Sequence, residues 1–491
     1  MQNLHRLFAA LTLLSLFSGF TQGFDTGSHF DLTQTVLAER GFGADAIKVT
    51  QVENWLTDYY SNSPTIAKSK RQELEKLHCD NLFSTTQVNN YFGWLINNLR
   101  ESTQKTARDD DPLAMLTTLG IGLHTIQDFY AHSDWVETHP RPVGGTFRTD
   151  TFKGFDSTKD VINDALYFTG KYPTDRTSGP GPDPIPANAQ IHGDYDNGLN
   201  HDSPVRPRWD EAYVFAYAAS HELVEAIAGW ADEARPGFWK KVQNYAVDAD
   251  GRKKLDYDIS ATRNMSMWID GNGQNGHWKG NKSGSDRFLA AFSGKWVAAD
   301  SSVFVKQMKD GNISKALSAN LYSNATPPPM LKLPGFSLRR RAVAIRTTLI
   351  KESGNLGKLR SALGRLGAPD YYSRTTIGTQ EFWSRTMQGS REFTDPWYEI
   401  CFIDQDAVSV PIRISVWDED NIDSDRDAAV DISGKSGSFT LDLIFNTSSG
   451  RILGDLAGSF NTPQTAFTSS GAKTNKRRAE ITAYVTQTLL R

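Results

Sequence analysis

Three ionisable side chains recur at four-residue steps in the segment LHTIQDFYAHSDWVE: His124, Asp128 and His132. A four-residue step on an α-helix turns ~400°, so all three project from nearly one face. Imidazole nitrogen and carboxylate oxygen are ligands that zinc takes in catalytic sites. The apolar run before them argues against an ordinary surface helix. The chemistry this face offers is metal binding.

A second pair, His221 and Glu225, stands at i, i+4 within His221-Glu-Leu-Val-Glu225. Such a pair shares one helical face. Alone it reads as a surface ion pair; beside the first face it becomes a second candidate ligand pair, which Asp210, three turns earlier, could join. Eight of the ten histidines lie between His29 and His221, which gathers the potential ligands into one metal domain in the first half. His139 and His201 are expected to be bland.

The elements that must position these residues read as helices. Asp111 and Pro112 have the residue types of an N-cap and first-turn proline, opening a helix through Tyr130. Thr33 to Glu39, Gln87 to Leu99 and Trp209 to Trp230 carry apolar residues at helical spacing. Between the last two helices, Arg141 to Pro207 is rich in Gly, Pro and Asp and reads as loops.

After residue ~235 the character changes. Gly271 to Gly284 reads as a flexible connection, 285 to 325 as helical, and the basic segment Leu338 to Leu366 as helix-compatible. From ~370 the period becomes two: Val410, Ile412, Ile414 and Val416 alternate with more polar neighbours, and Phe439 to Phe445 and Ala479 to Leu490 are further strand candidates. Short strands separated by turns predict a β-sandwich. After Val416 and Trp417, five aspartates lie between Asp418 and Asp427. Calcium takes six to eight oxygen ligands, which clustered carboxylates on one loop can supply; the bland alternative is a solvated acidic turn.

Residues Leu7 to Phe20 form a short apolar run after His5 and Arg6, followed by Thr21-Gln22-Gly23. This predicts a cleaved secretory leader, residues 1–23, and a secreted or periplasmic chain. The 491 residues leave room for two or three domains, and the net charge of -4 argues against a nucleic-acid partner held by bulk electrostatics. Nothing calls for an obligate protein partner. The two cysteines, Cys79 and Cys401, could be bonded or be free buried thiols.

Four motifs in order resemble zinc-dependent phospholipases C of the bacterial α-toxin type: Gly27-Ser28-His29, His78-Cys79-Asp80, His124-x-x-x-Asp128 with His132, and His221-x-x-x-Glu225. The LHTIQDFYAHSDWVE stretch, and the segment from His192 to Pro204, are closer still to HET-C-like heterokaryon-incompatibility proteins. The spacing departs from the phospholipases at His132, which follows Asp128 by four residues, and a longer insertion precedes the last pair. The resemblance implies an all-helical domain with two or three zinc ions. His29, Asp80, His124, Asp128, His132, His221 and Glu225 would be ligands, with His192 as an alternative to His221 and the Phe24 amine as a further one. Asp80, as bridge or general base, and Asp128 would carry the catalysis.

Val416-Trp417-Asp418-x-Asp420 is similar to the third calcium loop of C2-type domains, and Asp395-Pro396-Trp397-Tyr398 to their first loop. That resemblance implies calcium held by Asp395, Asp418, Asp420 and Asp425 or Asp427, bridging to anionic lipid. The expected organisation is an all-α zinc phospholipase-like domain over 24–260, a helical connection over 261–369 and an antiparallel β-sandwich over 370–491. The implied activity is hydrolysis of membrane phospholipids to diacylglycerol and a phosphorylated head group. Two other readings stand beside it: a zinc nuclease of the same fold, and a non-enzymatic HET-C-like membrane-interacting protein with a structural zinc site.

Overall fold

Asp111 and Pro112 open the central helix as their residue types dictate. Asp111 is extended and its carboxylate accepts the Ala114 amide at 3.0 Å, while Pro112, with no N–H to lose, begins the first turn. The structure is a computed structural model that describes residues 26–62, 75–139, 168–171, 185–192, 198–202, 204, 206–256, 259, 331, 333, 339–354, 369–384, 387, 390–418, 428–435, 437–456 and 464–490. The leader, Phe24, the segment from Gly271 to Gly284 and the helical reading of 285–325 lie outside these residues.

The helical unit comprises α1 (Thr26–Glu39), α2 (Ala44–Asn62), a 3-10 turn (Glu75–His78), α3 (Thr85–Arg108), α4 (Pro112–His132), α5 (Trp135–Thr138), α6 (Trp209–Ala234) and α7 (Phe238–Gln243). Residues 114–132 of α4 are all buried. A helix enclosed on every side belongs at the centre of its bundle. At α3, Ser84 Oγ accepts the Gln87 amide at 3.2 Å and Gln87 Oε1 accepts the Phe83 amide at 2.6 Å, a reciprocal cap that satisfies two amides at the helix start.

Gly120 sets the approach of α2. A Cβ there would stand 2.8 Å from both the Asn54 backbone nitrogen and Glu53 Cβ. With only a hydrogen at that point, α2 comes close enough for Asn54 and Asp58, one turn apart, to reach His124 on α4.

The second unit is a two-sheet antiparallel sandwich built from β1 (Arg340–Glu352), β2 (Tyr371–Ile377), β3 (Gln380–Trp383), β4 (Glu392–Asp404), β5 (Ser409–Asp418), β6 (Ala428–Val430), β7 (Thr440–Asn446), β8 (Ile452–Gly454), β9 (Gln464–Ser470) and β10 (Ala479–Leu490). One sheet runs β4-β1-β10-β9; the other runs β3-β2-β5-β7-β8, with β6 beside β5. On β5, Val410, Ile412, Ile414 and Val416 point into the core between the sheets, in the period expected.

Part of the four-stranded sheet is covered on both faces. Val343 and Ile345 of β1 enter the inter-sheet core, while Ala342 and Ala344 join the helical core with Ile400 and Phe402 of β4 and Leu490. Phe402 stacks on Tyr217 of α6 at 3.7 Å, Tyr398 donates to Asp210 Oδ2 at 3.2 Å, and Arg340 pairs with Glu39 at 3.4 Å.

Two expectations are corrected here. The sandwich already contains residues 340–352, where a helix-compatible connection was expected. A strand buried on both faces loses the polar alternation that marks a half-exposed one, and its Arg-Arg-Ala-Val-Ala-Ile start is as compatible with a helix. Asp395-Pro396-Trp397-Tyr398 lies inside β4, not in a loop. The β1–β4 register shifts beside it, between Thr347 and Leu349, and a bulge is where a strand accommodates a proline. The Asp395 side chain, and Asp420, Asp425 and Asp427 altogether, lie outside the described residues.

Two glycines test the packing of the bundle. Gly120→Ala must push α2 away from α4 and is expected to cost about 1–3 kcal/mol. At Gly229 a Cβ meets nothing within 4 Å, so Gly229→Ala should gain up to about 1 kcal/mol from helix propensity. Equal melting temperatures for the two variants would refute the close contact.

In the sandwich, Glu399 is buried between the sheets with Ser373 Oγ donating to it at 3.3 Å. Burial raises its carboxyl to about 8. A raised carboxyl costs nothing while both folded and unfolded forms are protonated, below the usual glutamate range. Stability then falls as pH rises toward 8 and is lowest above it. Glu399→Gln removes the charge and should stabilise by roughly 2–4 kcal/mol at pH 9 and by little at pH 4. Denaturant melts at the two pH values test this.

Candidate metal centre

The centre is built around the Asp128 carboxylate. Its Oδ1 lies 2.9 Å from His29 Nε2, and its Oδ2 lies 2.8 Å from His78 Nδ1 and 3.0 Å from His124 Nε2. His29 comes from the first turn of α1, His124 and Asp128 from successive turns of α4, and His78 from the end of the 3-10 turn. Asp58 of α2 stands 3.6 Å from His124 Nε2 and 3.7 Å from His78 Nδ1.

One turn further along α4, His132 faces a second pair of carboxylates. Its Nδ1 is 3.2 Å from Asp80 Oδ1 and its Nε2 is 3.1 Å from Asp202 Oδ1; His192 Nε2 is 3.9 Å from the other Asp202 oxygen. Among the described residues, three groups of ligand atoms, each within 4.8 Å of one another, emerge: His29, His124 and Asp128; Asp58, His78 and His124; and Asp80, His132 and His192. Tetrahedral ligands ~2.1 Å from a zinc ion stand roughly 3.4 Å apart, so the spacing suits such an ion.

The outer hydrogen bonds define the imidazoles. Gln127 Oε1 accepts the Asn54 side-chain amide at 3.2 Å and therefore also accepts from His29 Nδ1 at 2.6 Å. Asn54 Oδ1 accepts from His124 Nδ1 at 3.0 Å. With both Nδ1 atoms donating, each neutral ring turns its Nε2 lone pair toward Asp128. A lone pair facing a carboxylate is repulsive until a proton or a metal ion lies between them. The residues fit zinc on this ground and on their mixed nitrogen and oxygen donors.

The titration of the cluster shows the same competition for positive charge. Burial lowers His29, but Asp128 and Asp58 outweigh it and the net shift is upward; His78 behaves alike. Burial, reinforced by the neighbouring His29 and His78, takes His124 down to about 3. Burial opposes ionisation of Asp128, yet His124 and His29 hold it well below the usual carboxylate range. Asp58, with burial dominant, rises to about 7. His132 is raised well above the usual histidine value because Asp80 and Asp202 outweigh its burial.

Local backbone conformation delivers two of these residues. Cys79 (φ 57°) and Asn81 (φ 64°) are left-handed, a conformation that costs a non-glycine residue about 1 kcal/mol or more. The turn aims His78 at Asp128 and Asp80 at His132. It is braced by Cys79 Sγ on the Thr125 carbonyl at 3.4 Å and the Asn81 amide on the Gly170 carbonyl at 3.0 Å. At Gly170 a Cβ would stand 2.4 Å from His192 Cα, so only glycine lets the His192 segment lie there.

The structure brings together His29, Asp80, His124, Asp128, His132 and His192 of the residues expected from the sequence. It does not bring His221 and Glu225 to them, and this is a correction. His221 Nδ1 accepts from Arg40 Nε at 3.1 Å, its Nε2 lies 2.9 Å from Glu39, and Glu225 pairs with Arg40. An arginine that always donates occupies the His221 lone pair, and the pair joins α6 to α1 instead. Asp210 is held by Tyr398. His139 stacks on Trp135 at 4.0 Å and His201 pairs with Glu137 at 3.3 Å, both structural partnerships. Cys79 and Cys401 are buried free thiols.

Asp58, His78 and Asp202 were not selected as ligands from sequence, nor were their supports Asn54 and Gln127. His78 and Asp202 did stand in the quoted motifs. Asp58 had no signal, because α2 buries its polar residues without any apolar stripe to show which face points inward. In the sandwich, Asp418 closes β5 and its Oδ1 accepts the Asp370 amide at 2.9 Å, so Asp370 lies beside the acidic end.

The chain matches no protein-family model and no curated protein. Among solved structures it is similar to human GIVD cytosolic phospholipase A2 in complex with methyl gamma-linolenyl fluorophosphonate, at 12% identity over 30% of this chain and 17% of that chain, TM-score 0.20. It is similar to the calcium-bound tandem C2 domains of extended-synaptotagmin 2, at 15% identity over 31% and 47%, TM-score 0.21. It is similar also to alpha toxin from Clostridium absonum, at 11% identity over 84% and 96%, TM-score 0.16. The chain thus spans 17% of the phospholipase and 47% of the synaptotagmin fragment.

Metal content separates the central residues from the displaced pair. Asp202→Asn is expected to weaken binding of added zinc about 10- to 100-fold if that carboxylate holds a metal or its ligand. His221→Gln should keep full zinc while losing about 1–3 kcal/mol of stability. Elemental analysis after dialysis checks both, and zinc lost from His221→Gln would return that residue to the centre.

Proposed function

We propose that the chain is a zinc-dependent phospholipase C that hydrolyses membrane phospholipids to diacylglycerol and a phosphorylated head group. The observation that carries this reading is one carboxylate, Asp128, met by three imidazoles, with further carboxylates on either side. His29, His124 and Asp128 would hold one ion. Asp58 and His78 would hold a second beside it, and Asp80, His132 and His192, with Asp202, a third. Bound zinc would lower the pKa of a coordinated water toward ~7 and polarise the phosphate oxygens.

The chain's own residues supply the rest. Gln127 and Asn54 hold the His29 and His124 tautomers, and Asp128 orients both rings. Asp80, 3.2 Å from His132, would hold the third ion or take a proton. Asp418 and Asp370, with the aspartates that follow, would bind calcium and hold the sandwich on anionic lipid. The reading includes export after removal of residues 1–23. Among the described residues no helix is long and apolar enough to cross a membrane.

One observation favours a second reading. His29, Asp58, His78, His124, Asp128, Asp80, His132, His192 and Asp202 are all buried, and a closed site is what structural zinc prefers. The test is head-group release from mixed phospholipid liposomes with calcium, with and without a zinc chelator. Release that the chelator abolishes, and that Asp128→Ala lacks, is expected. Zinc-loaded protein that binds the liposomes yet releases nothing supports the non-enzymatic HET-C-like reading. Turnover of single-stranded DNA instead points to a nuclease.

A further inference from the structure

The two faces of the sandwich differ. The four-stranded sheet turns the outer side of β1, β4 and the end of β10 to the helices, whereas the six-stranded sheet carries all four large apolar side chains that are exposed among the described residues, or has them at its strand ends: Val408, Phe439, Ile444 and Leu453. Ile444 of β7 pairs across the sheet with Pro411 of β5 on one side and Leu453 of β8 on the other. Residues directly opposite in a sheet share a face, so Pro411, Ile444 and Leu453 form one exposed apolar row.

The same face carries a cation held between aromatic rings. Arg374 of β2 is opposite Trp383 of β3, and Tyr372 is opposite Trp417 of β5. The Arg374 guanidinium lies 3.6 Å from the Trp383 ring, 4.9 Å from that of Trp417 and 5.9 Å from that of Tyr372. Its one hydrogen bond among the described residues is to the Tyr372 hydroxyl at 3.5 Å, and no carboxylate there neutralises it. A guanidinium packed against two indoles, with no counter-ion among the described residues, can offer its terminal nitrogens to a phosphate.

We propose that the outer face of the six-stranded sheet docks on a phospholipid surface, with the Pro411–Ile444–Leu453 row against the apolar interface and Arg374, between Trp383 and Trp417, on a lipid phosphate. Its occupant is a lipid surface because apolar row, interfacial indoles and unneutralised cation lie on one face, as in a phospholipid interface where acyl chains and phosphates adjoin. This goes with the membrane-lipid reading above and deepens it, but it does not need the zinc chemistry.

The test uses the full chain with a zinc chelator present, so that lipid is not consumed, and sedimentation with phosphatidylcholine–phosphatidylserine vesicles. Ile444→Asp with Leu453→Asp changes only exposed positions and should weaken binding about tenfold or more, the equivalent of 1.4 kcal/mol. Arg374→Gln should weaken it several-fold. Vesicles with brominated acyl chains should quench tryptophan fluorescence in the parent protein and less so with Trp383→Phe and Trp417→Phe. Unchanged binding in the double aspartate variant overturns the proposal, as does displacement by inorganic phosphate at the concentration of the lipid head groups, which would make Arg374 a site for free phosphate. A dimer that the aspartates dissociate, with vesicle binding intact, would make the face a self-association surface and also overturn it. If Arg374→Gln lowers the melting temperature, the double variant and the quenching decide. Head-group release is a separate measurement, so failure of catalysis and failure of docking are told apart.

Discussion

The charge on Asp128 is the constraint to which the helical unit answers. A carboxylate fully removed from water is tolerated only where donors or cations surround it. Here imidazoles from three separate chain segments surround it, and a proton or a metal ion between ring nitrogen and carboxylate is what completes the balance. His29 and His124 are held from behind by Gln127 and Asn54, which are hydrogen-bonded to each other. The arrangement is a connected polar network inside an apolar bundle. Such a network specifies one arrangement of its helices because a half-satisfied one is costlier than none.

Packing makes that network reachable. The absence of a side chain at Gly120 lets α2 lie against α4, and Asn54 and Asp58 reach His124 by that approach. The left-handed pair Cys79 and Asn81 reverses the chain so that one short segment serves both halves of the centre. Gly170 performs the corresponding service for His192. Strain and lost side-chain volume are thus present at the cluster, as expected where a site has to be over-determined by its surroundings.

The four-stranded sheet is a wall common to both cores. Alternate residues of β1 and β4 face the second sheet and the helices, and Phe402 against Tyr217 joins the two units with aromatic contact. The Glu39, Arg40 and His221 cluster, with Arg340, ties α1, α6 and β1 together at the same boundary. The helix that carries His29 therefore also carries the residue, Glu39, that holds the sandwich. The candidate metal centre and the sandwich are parts of one packed unit.

The sequence by itself determined the helix that carries His124, Asp128 and His132, because capping and i, i+4 spacing are local, and determined three strands of the sandwich, those of Val410 to Val416, Phe439 to Phe445 and Ala479 to Leu490, whose faces differ in polarity. It also brought out His29, Asp80 and His192, through short motifs read by resemblance. Only the tertiary structure decided which polar residues of α2 face inward, since the inward side of Asn54 and Asp58 depends on a glycine some sixty residues away along the chain. It alone removed His221 and Glu225 from the centre: an i, i+4 pair shares a face whatever that face meets, and here it meets Arg40. It alone revealed β1, because a strand covered on both sides has no polar alternation to read. What was legible was periodicity and local chemistry; what was not was the identity of the neighbour across the gap, which no spacing along the chain encodes.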